Sequence, residues 1–191
     1  MQTFLPYADY GQSAASLDQK RLGKQRVEAY QVLLQLTGIK MVDFPRWEPR
    51  EGRWNHPAMA MWAGHEVELV EYIRACCDEW TSRGYRDTCK AKSEFVLELA
   101  REPNWSTEQP AWIGVEEIHR THRSNLLRKD PEFYLSRFPE DMPKPGEDFL
   151  EYIWPKTEFE LKPRMAANHA RMVERYEREL ADFRSIMGQK D

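Results

Sequence analysis

No apolar run in this chain of 191 residues approaches the roughly 20 residues that a bilayer-spanning helix needs. Mean hydropathy is −0.79 and 31% of the residues are charged, so a soluble protein is expected. Met1–Tyr10 lacks the basic start and apolar core of a secretory signal. Cysteine is scarce: Cys76 and Cys77 are neighbours that cannot readily bridge each other, and Cys89 makes the count odd. Free thiols in a reducing, cytoplasmic setting are therefore expected. There is no CxxC spacing for zinc, and no GxGxxG, phosphate-loop, GxSxG or HExxH pattern, so neither metal nor organic cofactor is expected. Strand-like alternation and internal repeats are also missing, which leaves an all-α fold. A net charge of −4 and a pI near 5.8 exclude a protein that coats nucleic acid in bulk, but not one with a focused basic groove.

The charge is in fact uneven. Lys20, Arg21, Lys24 and Arg26 stand together with no acid among them, and Glu28 closes the run. Lys20, Lys24 and Glu28 are four apart, so a helix stacks them on one face. Such a face can hold a phosphate backbone with its cations and present one carboxylate to whatever lies beside it. The plainer reading is a solvated face with an i,i+4 Lys–Glu pair.

Around this run, residues 1–12 read as an extended, Tyr-rich arm broken by Pro6 and Gly11. A helix is expected from Ser13 or Ser16, with Ser16 and Gln19 as a capping box, to Thr37, where Gly38 stops it. Gly23 costs this helix about 1 kcal/mol against Ala, which close packing or a ligand's approach would explain. The loop at 38–56 interleaves Trp47 and Trp54 with Arg46, Arg50 and Arg53, a mixture suited either to base stacking or to capping the core. Asn55-His56-Pro57 reads as the start of a second helix reaching Arg83, with His56 as its cap or as a nucleic-acid contact. Further helices are expected at 89–102 and 115–129, with a short restart at Asp130-Pro131.

Residues 139–160 are Pro-rich and acidic and read as a wrapping loop that buries Phe149, Tyr152, Ile153 and Trp154. From Pro163, Met165, His169, Met172, Tyr176, Leu180, Phe183 and Met187 recur at helical spacing. That stripe suits docking or self-association. The expected organisation is a compact helical domain over 1–160 and an amphipathic helix over 161–191.

The helix at 115–129 is the second basic block. His119, His122, Arg123 and Arg128 are candidates for phosphate contact on it, ahead of Pro131-Glu132-Phe133-Tyr134. His119-x-x-His122 also has a metal-binding spacing, but no carboxylate partner is evident.

Four of these segments, in order, resemble the pyrimidine-dimer DNA glycosylase family, whose best-known member is a small phage enzyme. They are Leu17–Glu28 with Leu22, Arg26 and Glu28, then Asn55-His56-Pro57, then Arg83-Gly84-Tyr85-Arg86-Asp87-Thr88, and then the basic helix running into Pro131–Tyr134. The resemblance spans roughly residues 1–155. It implies a glycosylase and abasic-site lyase acting on double-stranded DNA that carries a damaged or modified pyrimidine, near the nucleoid. It also implies that an α-amine, here on Met1, attacks C1′ to form a Schiff base, assisted by Glu28. Arg21, Lys24, Arg26, Arg123 and Arg128 would then bind phosphates. Gln2 is too bulky for ordinary removal of the initiator Met, which keeps the amine on Met1; Lys20 or Lys24 are the substitutes. The acidic loop and the last helix have no counterpart in the small phage enzyme. The alternatives are a non-catalytic DNA-binding module of the same fold and a helical protein-interaction domain.

Overall fold

The computed structural model describes residues 2–39, 57–100 and 105–155. Expectations for Met1, for the Trp/Arg loop with His56, and for the helix from Pro163 fall outside them. Among the described residues there are seven helices and no strand, as the absence of alternation predicted. None of these helices is long and apolar enough to cross a membrane.

The first expected helix is two. Asp9 caps α1 (Tyr10–Ser16), its carboxylate accepting from Gln12 N at 2.6 Å. The chain then turns through Leu17, and α2 (Gln19–Thr37) starts at Asp18 rather than Ser16. Asp18 wins because its carboxylate accepts from Arg21 N at 3.0 Å, whereas Ser16 Oγ donates back to Ser13 O. Gly38 ends α2 in the left-handed conformation, φ 72°, as its position suggested.

The second expected helix is broken as well. Pro57–Ala60 forms α3, and α4 covers Glu66–Ser82. Between them Gly64 takes φ 83°, a conformation only glycine adopts without strain. The break lets Trp62 sink fully into the core, where its Nε1 donates to Thr3 Oγ1 at 3.0 Å. α5 (Cys89–Ala100), α6 (Glu116–Lys129) and α7 (Pro131–Tyr134) fall where the sequence placed them.

α4 is the central element and packs on α1, α2 and α5. Its buried face of Leu69, Val70, Tyr72, Ile73, Cys76 and Cys77 meets Leu22, Ala29, Val32 and Leu33 of α2. Trp112 closes the cluster edge-on against Trp62, with centroids 5.1 Å apart. The acidic loop folds back along α6: Leu150 N donates to Ser124 Oγ, and Asn125 Nδ2 to Leu150 O. Phe149, Tyr152 and Trp154 pack on the core as expected. Ile153 does not; it is 48% exposed, because successive residues of this extended strap point to opposite sides.

Candidate active site

The arm is the least ordinary part of the molecule. Thr3, Phe4, Leu5 and Pro6 are buried although no helix or sheet supplies their backbone partners. Side chains from three helices supply them instead, as a buried backbone requires. From α2, Glu28 Oε2 accepts from Gln2 N at 2.8 Å and Gln25 Oε1 from Phe4 N at 2.7 Å. From α4, the Tyr72 hydroxyl lies 2.9 Å from Phe4 O and 2.8 Å from Gln25 Oε1. From α6, His122 Nδ1 accepts from Leu5 N at 3.1 Å, His119 Nδ1 donates to Leu5 O at 2.8 Å, and Arg123 Nη1 donates to Pro6 O at 2.8 Å.

These bonds correct the expectation for His119, His122 and Arg123. All three are buried, with 2%, 0% and 9% exposure, and hold the arm instead of facing phosphates. Arg123 also pairs with Asp141 and Glu116. The two imidazoles are fixed in opposite tautomers. His119 Nε2 accepts from Gly114 N at 3.0 Å, so its proton sits on Nδ1; His122 must carry its proton on Nε2.

Burial, helped by His119, pushes His122 down to about 3. An unfolded chain protonates it near 6.5. Between those values the unfolded state takes up a proton that the native state refuses, so stability is lost as pH falls. Urea denaturation is expected to show stability dropping by up to about 1.4 kcal/mol per pH unit from pH 6.5 towards 4. The slope is expected to flatten by one proton in His122→Asn; an unchanged slope would rule out His122 as its source.

Glu28 is half-buried one turn beyond Lys24. Basic residues from two helices converge beside it. Lys129, at the end of α6, has Arg128, Arg21 and Lys24 as neighbouring positive charges and Glu28 as a negative one; partial desolvation and then these cations hold its ammonium below the usual lysine range. Arg128 is exposed and donates to Asn125 Oδ1. Arg21 is tethered by Asp18 at 2.6 Å and Asp130 at 3.3 Å. Of the predicted cations, then, Lys24, Arg21 and Arg128 share the neighbourhood of Lys129 with Glu28. The sequence reading missed Lys129 as a site residue, although it ends the same basic block. It also took Tyr152 only as a buried ring. Burial raises the Tyr152 phenol to about 12 against the pull of Arg128 and Arg21. Its hydroxyl has no hydrogen-bond partner among the described residues.

Arg26 takes a different place. It is partly buried in an ion pair with Asp87 and lies over the Trp80 ring, 4.2 Å from its centroid. Tyr85 stacks on the same indole at 4.2 Å. Gly23 is what admits Trp80 to the α2 surface: a Cβ there would sit 3.2 Å from the indole. Trp80 therefore walls an open groove lined with Asp18, Gln19, Lys20, Gly23, Lys24 and Phe133. Lys20 and Lys24 are exposed and make no ion pair among the described residues.

The two remaining motifs brace this surface. Arg83 donates to Leu17 O at 2.8 Å and Ala15 O at 3.1 Å, tying the end of α4 to the α1–α2 corner. Tyr134 donates to Asp18 Oδ2 at 2.5 Å, tying α7 to the start of α2.

Fold and site together define an α-helical protein with a basic surface beside Glu28, to which the amino-terminal arm is pinned. Residues 1–93 match the model of the family described as pyrimidine dimer DNA glycosylase, and over that stretch the resemblance read from the motifs is borne out. The match takes in the arm, α2 with Glu28, α4, and the Arg83–Thr88 segment. No curated protein and no solved structure matches the chain.

Proposed function

We propose that the protein excises damaged pyrimidines from double-stranded DNA and cleaves the resulting abasic site through an amine Schiff base. The observation that carries this reading is the 2.8 Å hydrogen bond from Gln2 N to Glu28 Oε2. Bond lengths keep the nitrogen of the preceding residue within about 3.8 Å of Gln2 N. This bond supports an amine delivered beside Glu28, with lysines and arginines of α2 and α6 nearby.

An α-amine has a pKa near 8, so a useful fraction is neutral and nucleophilic at pH 7. It attacks C1′, the glycosidic bond breaks, and the base leaves with a proton. Loss of the amine proton and opening of the sugar ring, whose O4′ is protonated, give the imine. Glu28 then takes a proton from C2′, and the 3′ phosphate leaves by β-elimination. Water hydrolyses the imine and frees the amine. Arg21, Lys24, Arg128 and Lys129 hold the flanking phosphates, and Lys20 and Lys24 extend the contact along the Trp80 groove.

Borohydride trapping on a duplex with one abasic site tests the chemistry. The expected product is a covalent adduct mapped by mass spectrometry to the amino-terminal peptide. An adduct on a lysine would move the nucleophile, and no adduct with no nicking would refute the lyase step. If Met1 is removed, the amine belongs to Gln2, whose nitrogen is the one beside Glu28; the mass of the trapped peptide distinguishes the two.

The groove makes a separate prediction. Lys20→Ala and Lys24→Ala are each expected to weaken duplex binding and to reduce the slope of log K against log salt by about 0.9, one released counterion apiece. Unchanged salt slopes in both variants would take the groove out of the DNA interface.

A further inference from the structure

The arm is held in one register. Gln2 N and Phe4 N, two residues apart on an extended chain, meet Glu28 and Gln25, three apart on α2. Between them Thr3 Oγ1 accepts from Trp62 Nε1, and immediately after them Leu5 has both backbone groups taken by α6. A slip of one residue would bring the wrong backbone groups to every one of these partners, because groups on an extended chain alternate in direction. The side chains involved are buried and specific: Gln25 is 1% exposed, Tyr72 and His122 are 0%, and His119 is 2%.

We propose that Gln25, Tyr72, His119 and His122 are positioning residues. They set the length and direction of the chain's first residues so that its amine is delivered to Glu28. The inference rests on the Schiff-base reading above. It adds that residues 2–4 are a spacer of fixed length between a clamp at Leu5 and the reacting amine. The four residues touch neither DNA nor the reacting atoms; they act through the arm. Their contribution therefore falls on the rate of imine formation and not on DNA affinity, since an error near 1 Å in a reacting atom can cost about 10²-fold.

Two changes test this by borohydride trapping on an abasic duplex, with affinity measured in parallel. The first is a Gly inserted between Gln2 and Thr3. It leaves every contact from Thr3 onward intact and shifts the amine by about 3.3 Å. Trapping is expected to fall at least about tenfold at unchanged affinity. The second is His122→Leu set against His122→Asn, whose amide oxygen can replace Nδ1 as acceptor for Leu5 N. The Leu variant is expected to lose about tenfold in trapping and the Asn variant to recover most of it.

Wild-type trapping rates in the insertion variant would overturn the proposal, whatever the fate of His122→Leu as a folded protein. So would equal losses in two folded His122 variants. If the wild-type protein itself forms no adduct, the Schiff-base reading fails and takes this inference with it. An adduct formed equally by wild type and all variants defeats the inference alone.

Discussion

Glu28→Gln is expected to slow strand cleavage at a thymine-dimer or abasic duplex by about 10²-fold or more, the usual worth of a positioned acid–base group. The amide keeps the shape of the side chain and keeps an acceptor for Gln2 N, which in this structure donates to Oε2. The arm should therefore stay in place. On the proposed mechanism, what is lost is the capacity to take a proton from C2′ and the negative charge that balances a developing cation at C1′. Affinity should hold or rise, because removing one negative charge beside Arg21, Lys24, Arg128 and Lys129 strengthens the field that phosphates meet. Single-turnover cleavage and a gel-shift titration on the same duplex read the two effects separately. Cleavage within about threefold of wild type would remove Glu28 from the chemistry. Loss of affinity in step with loss of cleavage would mean that the substitution had released the arm.

This expectation was partly legible in the sequence. The i,i+4 spacing of Lys20, Lys24 and Glu28 places them on one face of α2, and the structure keeps them there. Local rules also located Gly38, Pro131 and the limits of α6, since caps and breakers act through their own backbone. What local rules could not supply was the destination of a polar side chain. His119, His122 and Arg123 form a basic block on paper. In the fold the arm lies across their face of α6, and burial turns them into hydrogen-bond partners for Leu5 and Pro6. Arg26 has the same history, since only tertiary packing brings Asp87 to it. Gly23 was legible as a departure from helix preference, but its cause, the Trp80 indole, lies on another helix. In each case the decisive partner is more than fifty residues away.

The Arg26–Asp87 pair gives the largest expected effect on stability. Both side chains are nearly buried, with 11% and 6% exposure. Asp87 Oδ2 also accepts from Lys90 N at 2.9 Å, capping α5. Burial alone would raise the Asp87 carboxyl, but Lys90 N–H, the Arg26 guanidinium and the Cys77 thiol outweigh it and hold the group below its usual range. Its contribution is therefore present above the ordinary carboxylate pKa and is lost as pH falls through the lower native value. Asp87→Ala strands the guanidinium without a counter-charge in the protein interior, a change that costs about 3–5 kcal/mol, with the lost cap adding about 1 kcal/mol. For a chain of this length that corresponds to a fall in Tm of roughly 10 °C or more. Adding Arg26→Met to Asp87→Ala removes the stranded charge, so the double variant is expected to melt above the single one. Thermal melts by circular dichroism decide the matter. A single variant within about 2 °C of wild type would show that solvent reaches the pair and screens it. A double variant melting below the single one would show that Arg26 supports the fold mainly by packing on Trp80, 4.2 Å from its ring.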